Sequence, residues 1–580
     1  MTTKHDKRFN FYLLLTLTLL AVYYTLPFLL KMNYWGIRDW DLFTTVTAVP
    51  VGALVDYGQF PFWNPYLMGG NILFHHPEVA VFSPFILLHL LLGPVIGLKI
   101  QVLICYFLGL WGSYRLGRTL GMSTLAGLLM AVGYFGSIHF ALHFAEGHMP
   151  FTHFCFLPWF VHFVLRSVHV RRNIVWAGVM LALMILGNGA AVPLLYTALF
   201  SFLLCALLSL SEKKTTYLTN LVLAGLIGVG LSAVKFIPMV VYLAQNEWAG
   251  IPDESIPLSA LGAIFFGLTH SVLVKNFPEQ FWAWHEYGAY ISPLMIVLAG
   301  FGLAARFAKR YIWLVLLVFF LALGLGNFGP YSPWAILSSL PGFSSARATG
   351  RSFQLVILAA AVLGGFGFDW LRQGWFSARK IWRYVLYAAA FVIVGTNMAL
   401  AWPVMSEAFK YPPLFVRRAP EFSQGVGSPD KPYKNFLANR GSVDAPHLSL
   451  YHRRPALLDP FNKVAPEYVI SGRLKVNWRE YTPNVITYDI NGIQPGEMQL
   501  GMGYDIGWRA VDGRKLRDLQ GLIAVPFDEG PQTIELRYRT PYFYLALAIW
   551  IVCIAGVVWL YRRWPGAETG EVSVSTQDAV

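Results

Sequence analysis

The chain is 580 residues long, 56% hydrophobic and only 13% charged, against the roughly 45–50% apolar content of a soluble domain. Apolar runs of about 17–25 residues recur along it, which excludes a soluble globular fold and predicts a polytopic helical membrane protein. The formal net charge of +13 lies largely in the connections between those runs; it is a topology signal and excludes a nucleic-acid footprint.

The first run, "FYLLLTLTLLAVYYTLPFLL", follows "MTTKHDKRFN" without a small-residue cleavage site, so it is expected to stay as a first helix. Twelve spans are expected, at 11–31, 96–116, 121–141, 151–168, 173–188, 190–210, 216–243, 289–306, 311–326, 352–371, 381–402 and 542–561. This organisation gives a membrane domain over 1–402 with a long first outer loop at 32–95. A soluble outer domain follows at 403–541, then an anchor helix at 542–561 and a tail at 562–580. Within the first outer loop, "FILLHLLLGP" is short for a span and is expected as an interfacial or half-inserted helix.

The outer domain reads as β. "NVITYDI" alternates, and "GEMQL", "GLIAVPF" and "QTIELRYR" are short runs parted by Gly, Pro and Asp turns, as in a small β-sandwich. It follows a Pro-rich linker, "YPPLFVRRAP". No P-loop, dinucleotide fingerprint or HExxH is present. Cys105, Cys155, Cys205 and Cys553 all lie in apolar runs, where cysteine is a small buried hydrophobe.

With the N-terminus inside, basic residues fall on the inward connections: Lys4, Lys7 and Arg8; Arg115 and Arg118; Arg166, Arg171 and Arg172; Lys213 and Lys214. The series continues through Arg306, Lys309 and Arg310 to Arg379, Lys380 and Arg383, and ends at Arg562 and Arg563. Before residue 403 only Asp6, Glu212 and Asp369 map inward. Asp39, Asp41, Asp56, Glu78, Glu146, Glu247, Asp253, Glu254, Glu279 and Glu286 map outward. That clustering places any chemistry on the outer face.

Four segments there carry candidate residues. In "RDWDLF", Asp39 and Asp41 are two apart, so they diverge on a helix; in a loop they could share a divalent cation, Mg or Mn, or a phosphate-metal site. Alternatively, one is a general base for an attacking hydroxyl. "PFWNPYLMGGN" is either a rigid interfacial turn with Trp63 at headgroup level or a pocket wall with Asn64 bonding an amphiphilic substrate. "HFALHFAEGHMPFTHF" holds a His-x-x-Glu-x-His cluster that could bind metal or relay protons; Glu146 and His148 are the candidates, while His139 and His153 read as solvated loop histidines. "LPGFSSARATGRSFQL" sets Arg347 and Arg351 outward, against the positive-inside trend, as a grip on lipid phosphate or on a lipid-linked donor. Lys235 and Lys275 are weaker candidates of the same kind.

The order "RDWDLF … GQFPFWNPYLMGGN … HPEVAVFSPF … EGH … LPGFSSARATGRSFQL" resembles the YfhO-like family of bacterial membrane proteins. "YDIGWRAVDGRKL … GLIAVPFDEGPQTIELRYRTPYF" resembles that family's C-terminal extracytoplasmic domain, so the likeness runs over nearly the whole chain. The family is similar to GT-C glycosyltransferases, which move a sugar from a polyprenyl-phosphate carrier to an acceptor at the outer membrane face. The resemblance implies an essential Asp in the first outer loop, falling on Asp41 or Asp39, with the "DLF" setting favouring Asp41 and leaving Asp39 as its neighbour. It implies Arg347 and Arg351 on the donor phosphate, with Glu78, Glu146, His148, Asn64 and Trp63 around the substrates. The implied reaction is inverting transfer to a cell-envelope glycan, lipid or protein, in the cytoplasmic membrane of a bacterium with both chain ends inside. A transporter or lipid flippase, or a non-catalytic glycan-assembly protein, also suits twelve spans. Transporters, however, bury charge at mid-membrane on broken helices, and these acids sit at the edge.

Overall fold

A computed structural model describes residues 4–245, 254–340, 343–377, 379–425, 431–442 and 466–565. Among these, eight helices are long and apolar enough to cross a membrane: Arg8–Leu29, Ile86–Thr119, Thr124–Glu146, Val192–Glu212, Phe307–Gly324, Thr349–Trp375, Lys380–Ser406 and Phe543–Arg563. The expected span at 216–243 is instead a pair, Thr216–Leu231 and Ala233–Gln245, bent by 92°. The other three are short: Phe156–Ser167, Arg172–Leu186 and Pro293–Ala305, of 12, 15 and 13 residues. At about 1.5 Å per residue such helices fall short of a hydrocarbon core roughly 30 Å thick. Twelve spans were expected because hydropathy counts apolar residues but not the stops between them. Gly187 ends the second of these helices, and Arg306, at φ −151°, ends the third.

"FILLHLLLGP" forms the first turns of Ile86–Thr119. Gly93 sits at φ 76°, and Pro94, which has no N–H to donate, begins the main part of the helix. Leu87 and Leu91 on the short piece are exposed. Thr349–Trp375 and Thr124–Glu146 are the centre of the bundle, with 94% and 89% of their most apolar stretch buried; Phe543–Arg563 has 6%. Small residues let the short helix Pro293–Ala305 pack closely on Thr349–Trp375. A Cβ on Gly302 would stand 2.0 Å from the Leu363 carbonyl, and one on Gly367 would stand 1.8 Å from that of Leu298.

In the C-terminal sheet domain, Glu467–Tyr481 and Val485–Gly503 form a long antiparallel hairpin. The second of these strands serves two further partners, Gly530–Tyr538 along its first half and Leu522–Phe527 along its second. Trp508–Ala510 and Arg517–Leu519 complete the edges. The expected two-sheet sandwich is therefore, among the described residues, one six-stranded sheet arranged around its longest strand. Alternation puts Ile486, Tyr488, Ile490, Ile534 and Leu536 in its core.

The loop at 59–72 is the seat of this sheet. The Asn484 amide nitrogen donates to the Phe60 carbonyl at 2.5 Å, and its Oδ1 accepts from Trp63 N–H at 3.1 Å. Trp63, 2% exposed, packs its ring against Trp508 and Tyr538. Gly70, at φ +101°, lies where a Cβ would meet the Met502 sulfur at 2.2 Å, which explains the glycine in "MGGN". Trp63 is thus part of the sheet domain's core. Asn64 accepts from Tyr66 N–H at 2.9 Å, closing a local turn.

Candidate functional site

The helix Asp39–Val55 follows the first span, with Asp39 and Asp41 in its first turn. Two residues on a helix are separated by about 200° around the axis, and the side chains part accordingly. Asp41 is 7% exposed and faces the short helix Pro432–Leu437, near the backbone of Tyr433 and the charge of Lys431. Burial pushes its pKa up to about 7, against the smaller pull of the Tyr433 N–H and Lys431. Asp39 faces the other way, toward His148, whose Nε2 lies 3.1 Å from its Oδ2.

The "EGH" turn makes that meeting possible. Gly147 ends the helix Ile138–Glu146 at φ 102° and lies against the backbone of Asp39 and Trp40, where a Cβ would be 2.2 Å from the Trp40 nitrogen. The Trp40 indole donates to the Phe144 carbonyl at 2.8 Å and locks the two helix ends together. On either side of the glycine, Glu146 accepts from Arg38 at 2.8 Å and His148 reaches Asp39. His148 Nδ1 lies 2.9 Å from His143 Nδ1. Both contacts are hydrogen bonds when His143 donates from Nδ1 to His148 Nδ1 and His148 donates from Nε2 to Asp39, leaving His143 Nε2 buried without a partner.

A second arm comes from "AWHEYG". His285 stands between two carboxylates, 3.6 Å from Glu146 and 3.6 Å from Glu286. Glu286 takes the guanidinium of Arg351 through both oxygens, at 2.7 Å from Nε and 2.5 Å from Nη2. Burial pushes the Glu286 pKa up, but Arg351 and His285 outweigh it and hold the carboxyl well below the usual carboxylate range. Glu254 fixes the same turn from behind, accepting from Thr349 N–H and Oγ1 at 3.3 and 3.2 Å and from the Tyr287 hydroxyl. Arg351, expected on a donor phosphate, therefore spends its planar fork on Glu286.

Arg347 is differently placed. It sits at φ 50°, and its Nε is buried without a hydrogen-bond partner. Burial and the neighbouring Arg351 both lower its pKa. Asp39, Glu78, His148, Arg347 and Arg351 all line one cavity of about 40 Å³, room for one or two small polar groups. Five of the nine residues expected from the sequence thus converge. Asp41, Asn64 and Trp63 do not reach this cavity, and Glu146 supports it through Arg38 and His285.

His285 and Glu286 were not named as site residues from the sequence, although "EQFWAWHEYG" stands out among the segments expected outside and Glu286 among the acids expected there. His139 and His153 are fully buried, not solvated. His139 bonds the Gly288 carbonyl at 3.0 Å, and His153 packs where a Cβ on Gly187 would be 1.9 Å from its Nε2. Lys235, the weak phosphate candidate, is fully buried and donates to the carbonyls of Val79 and Gly187 at 2.7 and 2.6 Å. Lys275 is exposed, while Glu247 and Asp253 lie outside the described residues. Among the described residues, the group able to share a metal is His148, His285 and Glu286, whose ligand atoms lie within 4.8 Å of one another. It is not the Asp39–Asp41 pair.

No family model matches the chain and no curated protein matches it. Among solved structures, it is similar to the cryo-EM structure of the arabinofuranosyltransferase AftD from Mycobacteria, at 14% identity and a TM-score of 0.48, over 75% of this chain and 32% of that one. It is also similar to the archaeal oligosaccharyltransferase AglB from Archaeoglobus fulgidus, at 12% identity and a TM-score of 0.37, over 77% of this chain and 65% of that one. The chain thus spans about a third of the length of AftD.

Proposed function

We propose that this protein is a membrane glycosyltransferase. It takes a sugar from a polyprenyl-phosphate-linked donor and passes it to a hydroxyl of a cell-envelope glycan, lipid or protein on the outer face of the bacterial cytoplasmic membrane. The observation that carries this reading is the cavity where Asp39, His148 and the unpartnered Arg347 Nε meet at the end of the first span. Asp39 accepts the proton of the acceptor hydroxyl, with His148 holding its carboxylate in place. The acceptor oxygen bonds the anomeric carbon as the bond to the phosphate oxygen breaks, inverting the centre. Arg347 neutralises the departing phosphate.

The roles expected of the two aspartates are thereby exchanged, because Asp41 faces away from the cavity. Arg351 positions Glu286 and the Arg347 turn instead of holding the donor. A divalent cation, where bound, supplies charge neutralisation at the phosphate. The two imidazoles and one carboxylate that could hold it suit Mn²⁺ or another first-row ion better than Mg²⁺, which takes oxygen ligands.

The test is the purified protein in nanodiscs with a panel of polyprenyl-phosphate sugars, alongside Asp39→Asn. Transfer with release of polyprenyl phosphate, lost in the variant, is expected. Sugar turnover by neither protein across the panel, with intact donor binding, would favour the non-catalytic assembly reading. The outside placement of the sheet domain is tested by labelling Lys515→Cys in intact cells; labelling only after permeabilisation would reverse it.

A further inference from the structure

Away from that cavity, a larger one of about 780 Å³ lies between the sheet domain, the first outer loop and the head of the helix Phe543–Arg563. Its aromatic walls include Phe60, Phe62, Phe543 and Tyr544, and three arginines line it: Arg509, Arg537 and Arg539. No acidic residue does. Arg509 and Arg537 are direct partners on adjacent antiparallel strands, and like charges set opposite each other are destabilising. Arg539 lies just past the end of the same strand and lines the cavity beside them. Glu535 offsets part of this charge through Arg537 at 2.5 Å, which leaves two guanidiniums in excess. Arg509 donates to the Ile506 and Trp508 carbonyls, and Arg539 lies over the Tyr544 ring at 4.9 Å. All three arginines remain exposed.

The position decides what such a site meets. Phe543–Arg563 is the most lipid-facing of the candidate spans, with 6% of its apolar stretch buried, and its first residues form one wall of the cavity. Tyr542, at φ 59°, turns the chain from the sheet into the helix, and Tyr542, Tyr544 and Leu545 are exposed beside the opening. A cationic cleft with an aromatic wall, open to the acyl–headgroup boundary, matches an anion that arrives attached to a lipid. We infer that this cleft binds the phosphate of an anionic phospholipid headgroup, with Arg509, Arg537 and Arg539 as its contacts, and seats the sheet domain on the membrane surface. It is separate from the Asp39 cavity and does not depend on sugar transfer.

The experiment is native mass spectrometry of the full-length protein after add-back of phosphatidylglycerol or phosphatidylcholine. Wild type is compared with the Arg509→Gln/Arg537→Gln/Arg539→Gln variant and with the same three sites changed to Lys. Preferential retention of phosphatidylglycerol is expected, falling roughly tenfold or more in the Gln variant and only partly in the Lys variant, which lacks the fork. Single Arg537→Gln supplies the same comparison should the triple variant not fold. Equal retention of the two lipids, or equal phosphatidylglycerol retention in wild type and Gln variants, would overturn the site. So would full displacement by inorganic phosphate, which would show recognition of free anion and not lipid. Retention that vanishes in roughly 0.5 M salt would reduce the cleft to diffuse attraction and would equally overturn it.

Discussion

The polar cluster around Asp39 and the sheet domain around Trp508 are both rich in charged and aromatic side chains, and they use them in opposite ways. In the sheet domain, Arg514 pairs with Asp512 and Arg517 with Glu497 at its exposed surface, where ion pairs contribute little. Asp505 closes a turn by accepting from Gly507 N–H at 2.8 Å and from the Tyr538 hydroxyl at 3.0 Å. In the cluster, Arg351–Glu286 is buried and Arg38–Glu146 and His148–Asp39 are largely so, and buried charge survives only if closely compensated. The difference teaches that charge alone does not locate a site. Charge kept out of water, next to a cavity, does.

Asp39→Asn breaks this contrast most sharply. Turnover should fall by about 10²–10⁴-fold with donor binding retained, while Asp41→Asn should leave turnover near wild type; the reverse ranking, measured in the nanodisc assay, would restore Asp41 as the base. Next comes the ion pair. Arg351→Met leaves Glu286 buried without its partner, a loss of about 3–5 kcal/mol in stability, and adding Glu286→Leu should recover much of it. A thermal-shift series in which the double variant is as unstable as the single one would count against burial as the cause.

Arg347→Ala should weaken donor affinity by roughly ten- to a hundredfold, corresponding to about 1.5–3 kcal/mol for a charge-assisted contact. Lys should rescue it partly. Titration with a fluorescent donor analogue reads this directly, and unchanged affinity would remove Arg347 from the phosphate site.

Asp41 offers a subtler effect, in pH dependence. Its folded pKa of about 7 exceeds the unfolded value near 3.9, so between those values the folded state holds the extra proton. Stability from this group is fully present below about pH 4 and is lost as pH rises through 7, by about 4 kcal/mol at most. Asp41→Asn should flatten that slope and raise the melting temperature at pH 8; a variant that keeps the wild-type slope would show that Asp41 is not its origin. The smallest effect belongs to the sheet domain, where Asp512→Asn should change turnover hardly at all, and a specific loss in a folded protein would give that domain a part in the chemistry.

Much of the membrane architecture was legible because lipid imposes length and apolarity on every crossing helix. The eight long helices follow from those constraints, and the β character of the C-terminal domain follows from alternation in "NVITYDI". Asp39, His148, Arg347, Arg351 and Glu78 were legible as outer-edge polar residues, and they do line one cavity. Which aspartate faced it was not, because that depends on where the helix starts, and a D-x-D pair looks the same in a loop. The Glu286–Arg351 pairing was equally hidden, since 65 residues separate its partners. The burial of Trp63 followed from a fold contact with Trp508 that no local pattern encodes.

That contact between the loop at 59–72 and the sheet has a consequence for the order in which the molecule is made. Phe60 leaves the ribosome 424 residues ahead of Asn484, its hydrogen-bond partner. At about 5–20 residues per second this is a wait of roughly 20–80 s. During it the Phe60 carbonyl, the Trp63 ring and the Gly70 turn lack their partners in the sheet, although the first span, Arg8–Leu29, is already made. Assembly of this loop is therefore one of the last events of biogenesis, and a nascent chain interrupted before the sheet emerges presents an open aromatic loop to the cell's proteases and chaperones.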